Sequence, residues 1–479
     1  LKVLSGGSLM TDTKIWQLSA HEVVLLLRSG EVSPLDVVQA SIERIEEVDT
    51  KVNAIPIRCF DRAIEKARKV NIKEEIKNPK SLLGLPIVVK DYNDLGGVKT
   101  TYGSKIYEHN MPKKSDATIA KLEENGANPV GKSNVPEWAG GHTFNPNFGI
   151  TRNPFNLKKT AGGSSGGSGA ALASGQIWLA TGNDLGGSLR TPAAFNNVVG
   201  LRPSIGVVPR GQRLQPFDTL WVEGPMARSV KDVALMLDAG AGYSSEDPLS
   251  FEHNSRLFID QLDEFPLPKR VAFSQDLGIL PVSQEIRLAT QKAILKVGDL
   301  GVDIIQEIPD FSEVLEGFQT LRGVLLASMM GELVKNNRSK ISPDIVKNVE
   351  LGYKVSNDDI IKAEIVRKRI MLGMVEFFKQ SDFLICPTTS VAPFDTAKPF
   401  ITEIDGVTCE TYIDWFAITF ALTMTSCPVI SLPCGFTDGG LPVGIQIVGK
   451  PRQENKLLAF ANTLEQHLGV SNFVPIKNI

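Results

Sequence analysis

Serine and glycine are concentrated in residues 161–188, which hold nine glycines and five serines in 28 positions. Within this stretch, Gly162-Gly-Ser164-Ser-Gly166 matches the G-x-S-x-G pattern that presents a nucleophilic serine on a sharp turn. That arrangement needs a histidine base late in the chain, after the acid. The late candidate, His467, falls in a predicted amphipathic C-terminal helix, and none of the five histidines lies in a motif-like loop. The usual base for a serine nucleophile is therefore missing.

A lysine can replace the histidine if its amine is uncharged. Lys90 ends the apolar run Leu85-Pro-Ile-Val-Val, which is typical of a strand buried on both faces. Burial disfavours the ammonium form and lowers the pKa of a lysine. Lys90 is therefore a candidate base. The alternative is that its side chain emerges at the strand end and pairs with a carboxylate such as Asp91.

Two other interpretations of the glycine-rich segment are less favoured. Such segments are often flexible linkers, but this one lies between the apolar runs Ala170-Ala-Leu-Ala and Ile177-Trp-Leu-Ala180. A phosphate-binding loop would need a lysine after the glycines or a well-formed G-x-G-x-x-G after a strand, and neither is present. The segment is predicted to be an ordered loop inside a core.

Capping and periodicity signals predict the elements that must position this segment. The first 80 residues are predicted to be mostly helical, and strands then alternate with helices, which indicates an α/β sheet. Predicted helices span 19–30, 33–48, 61–70, 116–125, 229–240 and 453–467, and predicted strands span 85–90, 129–131, 383–386, 428–433 and 443–448. No Pro/Gly/Ser linker divides the chain, so one large domain is expected.

The motifs resemble those of the amidase signature family in order along the chain. They are Gly84-Leu-Pro-Ile-Val-Val-Lys90-Asp91, Gly131-Lys-Ser-Asn-Val-Pro136, Gly162-Gly-Ser-Ser-Gly-Gly-Ser168, Asp184-Leu-Gly-Gly-Ser188-Leu-Arg190, Gly200-Leu-Arg-Pro203 and Leu441-Pro-Val-Gly-Ile-Gln-Ile-Val-Gly449. The resemblance implies a single large α/β/α domain with a central mixed β-sheet covered by helices. We expect this domain to span residues 13–479, with a signature core at 161–200 and a variable helical region at 245–380. Residues 1–12 are interpreted as a leader or vector-derived sequence.

The resemblance also assigns residues to roles in the hydrolysis of a carboxamide. It implies a Ser–cis-Ser–Lys triad in which Ser188 is the nucleophile, Ser164 relays the proton after a cis peptide bond, and Lys90 is the base. Backbone N–H groups of the loop that ends at Ser188, together with two positions after the Asn-Val-Pro motif, would bind the substrate carbonyl and line the cleft; these positions are Leu185, Gly186, Gly187, Ala139 and Gly140. No metal or cofactor is implied. Arg190 and Asp184 are interpreted as a structural ion pair, and Ser165 and Ser168 as loop hydrogen-bonders.

Two segments depart from the family pattern. Asn183 stands where the family commonly has threonine, which is expected to alter only loop packing. The segment Asn134-Val-Pro-Glu-Trp-Ala-Gly140 differs from the corresponding stretch of the glutaminase component of glutamyl-tRNA amidotransferase. This difference favours a free-standing amidase, and the amidotransferase component remains the alternative.

Composition excludes several other classes of protein. The net charge of −3 and the sequence pI of about 6.1 do not suit a basic nucleic-acid binder. No run of about 18 apolar residues predicts a transmembrane helix. The five cysteines show no C-x-x-C spacing, so a zinc site is not expected and a reducing cytoplasm is. The expected partner is a small-molecule amide, without nucleic acid or membrane, and the family resemblance is compatible with a homodimer.

Overall fold

The computed structural model describes residues 14–139, 141–211, 215–253 and 256–470. The predicted leader at 1–12 and the predicted site position Gly140 lie outside these ranges. Whether residues 13–479 form a single domain stays a prediction. None of the helices in the described ranges combines the length and the apolar character needed to cross a lipid bilayer.

Helices are distributed along the whole described chain. They are α1 (Ala20–Ser29), α2 (Pro34–Val52), α3 (Phe60–Lys69), α4 (Ile72–Glu75), α5 (Ala117–Glu124), α6 (Gly166–Ala173), α7 (Arg190–Phe195), α8 (Val230–Gly240), α9 (Gln284–Asp299), α10 (Val314–Asn337), α11 (Pro343–Lys354), α12 (Asn357–Phe377), α13 (Ala417–Thr423) and α14 (Glu454–Leu468).

Strands alternate with these helices. They are β1 (Ile57–Arg58), β2 (Pro86–Lys90), β3 (Asn128–Ser133), β4 (Phe144–Asn145), β5 (Gly149–Ile150), β6 (Arg152–Asn153), β7 (Asn156–Thr160), β8 (Leu179–Asp184), β9 (Val199–Arg202), β10 (Val222–Ala227), β11 (Arg270–Phe273), β12 (Asp303–Ile305), β13 (Phe383–Pro387), β14 (Glu403–Ile404), β15 (Val407–Thr408), β16 (Val429–Phe436) and β17 (Pro442–Val448).

Eleven of these strands form one mixed sheet in the order β1-β3-β2-β8-β10-β9-β16-β17-β13-β11-β12. Strand β2 is parallel to both β3 and β8, whereas β10 is antiparallel to its neighbours β8 and β9. Helices such as α8 and α14 pack against the sheet. The predicted α/β fold with a central mixed sheet covered by helices is confirmed.

Local signals explain several of these elements. The side chain of Ser33 accepts a hydrogen bond from the backbone N–H of Asp36, and Pro34 begins α2 at the position where a missing N–H costs nothing. Ser19 and Glu22 form the predicted capping box of α1. All five residues of β2 are buried, as expected for a central strand covered on both faces.

Two regions differ from the sequence prediction. The second half of the glycine-rich stretch is not a loop but the helix α6, in which every residue is buried. Glycine is a poor helix former, so tertiary packing decides here: a Cβ on Gly167 would lie 2.4 Å from the backbone nitrogen of Asn134. The predicted helical region at 245–380 also contributes strands β11 and β12, which form one edge of the main sheet.

The parallel pairing of β2 with β8 brings two strand ends to the same edge of the sheet. Ile87 pairs with Leu179 and Val88 with Ala180. The strands therefore end together, and the backbone N–H of Lys90 donates to the hydroxyl of Thr181 at 2.8 Å. This edge carries the residues described next.

Candidate active site

Lys90 lies at the carboxyl end of β2 with none of its surface exposed. Its Nζ is 2.7 Å from Ser164 Oγ, 2.8 Å from Ser165 Oγ and 2.6 Å from Asn183 Oδ1. Among the described residues, no carboxylate forms an ion pair with Lys90. The alternative pairing with Asp91 is therefore wrong, because the amine turns inward toward the glycine-rich segment.

A second buried lysine on the neighbouring strand shows the contrast. Lys132 Nζ lies 3.3 Å from Asp91 Oδ1 and donates to the backbone carbonyl of Asn93 at 2.6 Å. Burial lowers the pKa of Lys132, and the attraction of Asp91 opposes this. Asp91 is therefore engaged by Lys132, and Lys90 is left with neutral partners.

Burial lowers the pKa of the Lys90 amine to about 7, against the weaker opposing attraction of Glu223 and Asp184. Burial likewise raises the pKa of the Glu223 carboxyl. The carboxyl oxygens of Glu223 accept hydrogen bonds from Trp221 Nε1 at 3.1 Å and Asn93 Nδ2 at 3.2 Å. Near neutral pH a substantial fraction of Lys90 is therefore uncharged and able to accept a proton.

The Gly163–Ser164 peptide bond is cis, as the resemblance implies. A Cβ on Gly163 would lie 2.2 Å from the carbonyl oxygen of Gly141, so no larger residue fits there. Ser164 Oγ accepts its hydrogen bond from Lys90, and its own proton has no acceptor among the residues that the structure describes. That hydroxyl can therefore pass a proton in either direction.

Two further residues contact the amine that the sequence analysis did not place there. Asn183 was expected to affect loop packing, but its Oδ1 binds Lys90 directly, while its Nδ2 is buried without a partner in the described structure. Ser165 also binds Lys90, so only Ser168 is the loop hydrogen-bonder expected, donating to the carbonyl of Thr181 at 2.8 Å. The departure from the family pattern at 183 was the available signal.

Ser188 follows the loop 185–187 and lines a narrow cleft together with these three residues. The backbone N–H of Ser165 donates to the carbonyl of Ser188 at 3.3 Å, which places Ser188 beside the Lys90 cluster. The Ser188 hydroxyl has no hydrogen-bond partner within the described part of the chain. It is therefore available to a ligand in the cleft.

The loop before Ser188 provides backbone donors with one difference from the prediction. Within the described ranges, the N–H groups of Leu185, Gly186 and Ser188 have no acceptor. The N–H of Gly187 donates instead to Asp184 Oδ1 at 2.9 Å. Gly187 itself has a φ of +119° and packs against Thr419, where a Cβ would come within 2.3 Å of Oγ1. Gly187 shapes the loop and does not offer the donor predicted for it.

Asp184 and Arg190 form the expected structural ion pair. Arg190 Nε donates to Asp184 Oδ2 at 3.0 Å and its Nη2 donates to Oδ1 at 2.9 Å, while Arg202 Nη1 donates to Oδ1 at 3.1 Å. Burial by itself would raise the pKa of Asp184, but the two guanidinium groups outweigh it and lower that pKa. This buried network holds both ends of the loop 185–189.

The remaining predicted position is less well determined. Ala139 ends a 3-10 helix, Glu137–Ala139, whose middle residue Trp138 has a φ of +48°. Gly141, two residues further on, lines the cleft with Ser188. No group of histidine, cysteine or acidic residues in the described ranges is arranged to hold a metal ion.

The family model for amidases matches residues 36–458. The chain belongs to the amidase family. This amidase is 31% identical to the acylamidase of Rhodococcus erythropolis over 469 residues, which covers 95% of the chain and 96% of that protein. It is 30% identical over 483 residues to the GatA-type component of the glutamyl-tRNA(Gln) amidotransferase of Thermoanaerobacter pseudethanolicus, covering 95% and 97% of the two chains.

A solved structure of a bacterial aryl acylamidase of the amidase signature family also matches this amidase. The TM-score is 0.89 at 28% identity, over 97% of this chain and 99% of that one. The resemblance seen in the sequence is thereby confirmed, and the protein is a hydrolase of amide bonds.

Proposed function

We propose that this protein is a free-standing amidase that cleaves a carboxamide through an acyl intermediate on Ser188. In this mechanism Lys90 is the base and Ser164 relays the proton between the Lys90 amine and the Ser188 hydroxyl. The observation that carries the proposal is the buried Lys90 amine, 2.7 Å from Ser164 Oγ and without an ion-pair partner in the described structure.

The acylation step follows from these contacts. Ser188 Oγ attacks the carbonyl carbon while its proton passes to Ser164, whose own proton moves to the lone pair of Lys90. The carbonyl becomes an oxyanion, which the free N–H groups of Leu185, Gly186 and Ser188 can bind. The C–N bond then breaks, and the same relay returns the proton to the departing nitrogen.

Deacylation repeats the sequence with water as the nucleophile. Water attacks the acyl–Ser188 ester, gives a proton to the relay, and releases the carboxylic acid and free Ser188. The products are therefore an acid and ammonia or an amine. Every proton in the cycle is carried by Ser164 and Lys90, so the scheme needs no metal or cofactor.

The test is covalent labelling together with turnover. A fluorophosphonate probe should add its mass to Ser188, and Ser188→Ala should abolish both the labelling and the release of ammonia from a panel of simple amides. Ser168→Ala is a matched control, because Ser168 lies in the same glycine-rich stretch but bonds the carbonyl of Thr181. Labelling that survives in Ser188→Ala would show that the nucleophile is assigned wrongly.

The second candidate function is the glutaminase component of a tRNA amidotransferase. It is favoured by the 30% identity to such a component, which nearly equals the identity to the acylamidase. The segment at 134–140 departs from the pattern of that component and supports the free-standing enzyme. Turnover of simple amides by the isolated chain, without glutamine or a partner, would decide for the free-standing amidase.

A further inference from the structure

Helix α10 forms the wall of the cleft next to the loop before Ser188. Phe318 and Arg322 are four residues apart, so they lie on the same face of the helix, and both line the cleft. Phe318 Cζ would be 3.3 Å from a Cβ on Gly186, which shows how closely this face approaches the loop. Arg322 is therefore one helical turn from the proposed oxyanion donors.

Arg322 is the charged side chain among the described residues that line this cleft. It is 7% exposed. Its Nη1 donates to Asn348 Oδ1 at 3.0 Å, and its Nη2 donates to the Tyr412 hydroxyl. Both acceptors are neutral, and no carboxylate of the described chain forms an ion pair with Arg322. Arg190, by contrast, lies behind the same loop with Asp184 as its counter-ion.

An arginine stays charged at any ordinary pH, and a buried charge without a counter-charge is costly. Arg322 uses two of its five N–H groups within the described structure, so the other three are free to bind a ligand. Its planar fork suits a carboxylate, which can accept two of these bonds at once.

Tyr412 adds a second donor beside the guanidinium. Its hydroxyl accepts hydrogen bonds from Arg322 and from Asn348 Nδ2, the latter at 2.8 Å. Its own proton has no acceptor among the described residues. Arg322 also borders a surface groove that Tyr412 and Asn348 line, so the cleft and the groove meet at this pair.

The rest of the cleft wall is apolar on this side. Phe318, Ile413 and Phe416 line it between the loop before Ser188 and Arg322. A substrate that fits would have its amide at Ser188, a short hydrocarbon segment against these side chains, and an anionic group at the arginine.

We propose, on the basis of the amidase function above, that Arg322 and Tyr412 bind a carboxylate of the substrate. The preferred substrates are then amides that carry an acid group a few carbons from the scissile bond. The arginine determines specificity, and the chemistry at Ser188 does not require it.

Matched substrate pairs test this assignment. On the acyl side, succinamate, glutaramate and adipamate are compared with butanamide, pentanamide and hexanamide; on the amine side, N-acetyl-β-alanine is compared with N-propylacetamide. Each pair differs by a carboxylate in place of a methyl group. In at least one pair, kcat/KM should be about 10-fold or more higher for the acid, because charge-assisted hydrogen bonds are stronger than neutral ones.

Variants show whether Arg322 causes the preference. In Arg322→Gln the ratio of kcat/KM within the favoured pair should fall about 10- to 100-fold, and Arg322→Lys should retain part of it. Tyr412→Phe should lower the ratio less. Arg338→Gln is the control, because Arg338 is an exposed residue near the same helix, paired with Glu350, and should leave the ratio unchanged.

The outcomes separate this assignment from the proposed function. If neutral amides are turned over and Ser188 is labelled, but no pair shows a preference for the acid or Arg322→Gln keeps the ratio, the carboxylate site is wrong and the amidase remains. If no amide is cleaved and the fluorophosphonate leaves Ser188 unmodified, both proposals are overturned.

Discussion

The number of N–H groups on Lys90 limits what its three close partners can do. An ammonium donates three hydrogen bonds, whereas a neutral amine donates two and keeps one lone pair. The carbonyl oxygen of Asn183 can only accept, so it fixes one N–H. If Ser165 accepts the second, the lone pair faces the hydroxyl of Ser164. Asn183 and Ser165 would thus orient the base toward the relay.

This arrangement makes the pH dependence of activity a test of Asn183. Because burial lowers the pKa of Lys90 to about 7, kcat/KM of the wild-type enzyme should rise with pH and level off above an apparent pKa near 7. Asn183→Asp keeps the shape but places a carboxylate beside the amine, which favours the ammonium form. The rising limb should move upward by about one to three pH units. The measurement is kcat/KM for one amide between pH 5 and pH 10.

The matched control is Asn183→Thr, which offers a hydroxyl acceptor without charge. Its rising limb should stay near that of the wild type, even if its maximal rate is lower. A purely structural role for Asn183 would lower the rate of both variants and leave both limbs in place. A wild-type optimum near pH 5 would contradict a neutral Lys90 altogether.

At the scale of elements, the loop between β8 and α7 fixes the proposed oxyanion donors. Thr419 on α13 donates to the carbonyl of Gly186 at 2.8 Å, and its side chain contacts the position of a Cβ on Gly187. Gly187→Ala should therefore displace the loop, since neither the space nor the φ of +119° suits a side chain. We expect kcat to fall by about 10²-fold, comparable to the loss of an oxyanion donor.

A glycine elsewhere separates loop displacement from general strain. Gly406 also has a positive φ, +83°, but a Cβ there would meet nothing within 4 Å. Gly406→Ala should cost some stability and leave kcat unchanged. Equal kcat values for Gly187→Ala and the wild type, measured on the same amide, would mean that the loop does not position the reacting carbonyl.

Sequence signals predicted the elements whose cause is local. The caps of α1 and α2, the buried strand β2, and its terminal Lys90 were all evident, because polar caps and apolar runs depend on neighbouring residues. Helix α6 was missed because its glycines disfavour a helix in isolation, and only the close backbone of neighbouring segments explains them.

The contacts of the site were predictable only in part for the same reason. The motifs indicated Lys90 and Ser164, but the contact with Asn183 depends on the parallel register of β2 and β8, which leaves no local pattern. Arg322 reaches the cleft from a helix more than 130 residues after Ser188 in the chain, in a region without a motif. Long-range packing of this kind is not encoded in spacing or periodicity.

Across the whole molecule, one buried carboxylate connects segments that are distant in sequence. Asp184 binds Arg190 of α7 and Arg202 of β9, and Arg190 Nη1 extends to the carbonyl of Thr419 at 2.7 Å and to Gln446 Oε1 at 2.9 Å. The network therefore joins β8 and β9 to α13 and β17. It also holds the loop before Ser188, so stability and activity should depend on it together.

Replacing this carboxylate should destabilise the protein in a way that depends on pH. Asp184→Asn leaves two buried guanidinium groups without a counter-charge, which should cost about 3–5 kcal/mol near pH 7. The pKa of Asp184 is lowered in the folded state, so its contribution is complete above the unfolded value of about 3.9 and decreases as pH falls below it. Thermal midpoints of the variant and the wild type should differ most at pH 7 and converge toward pH 3. Glu376→Gln, which removes an exposed ion pair with Lys379, should change little at either pH. A constant difference between Asp184→Asn and the wild type across this range would show that the charge of Asp184 does not stabilise the fold.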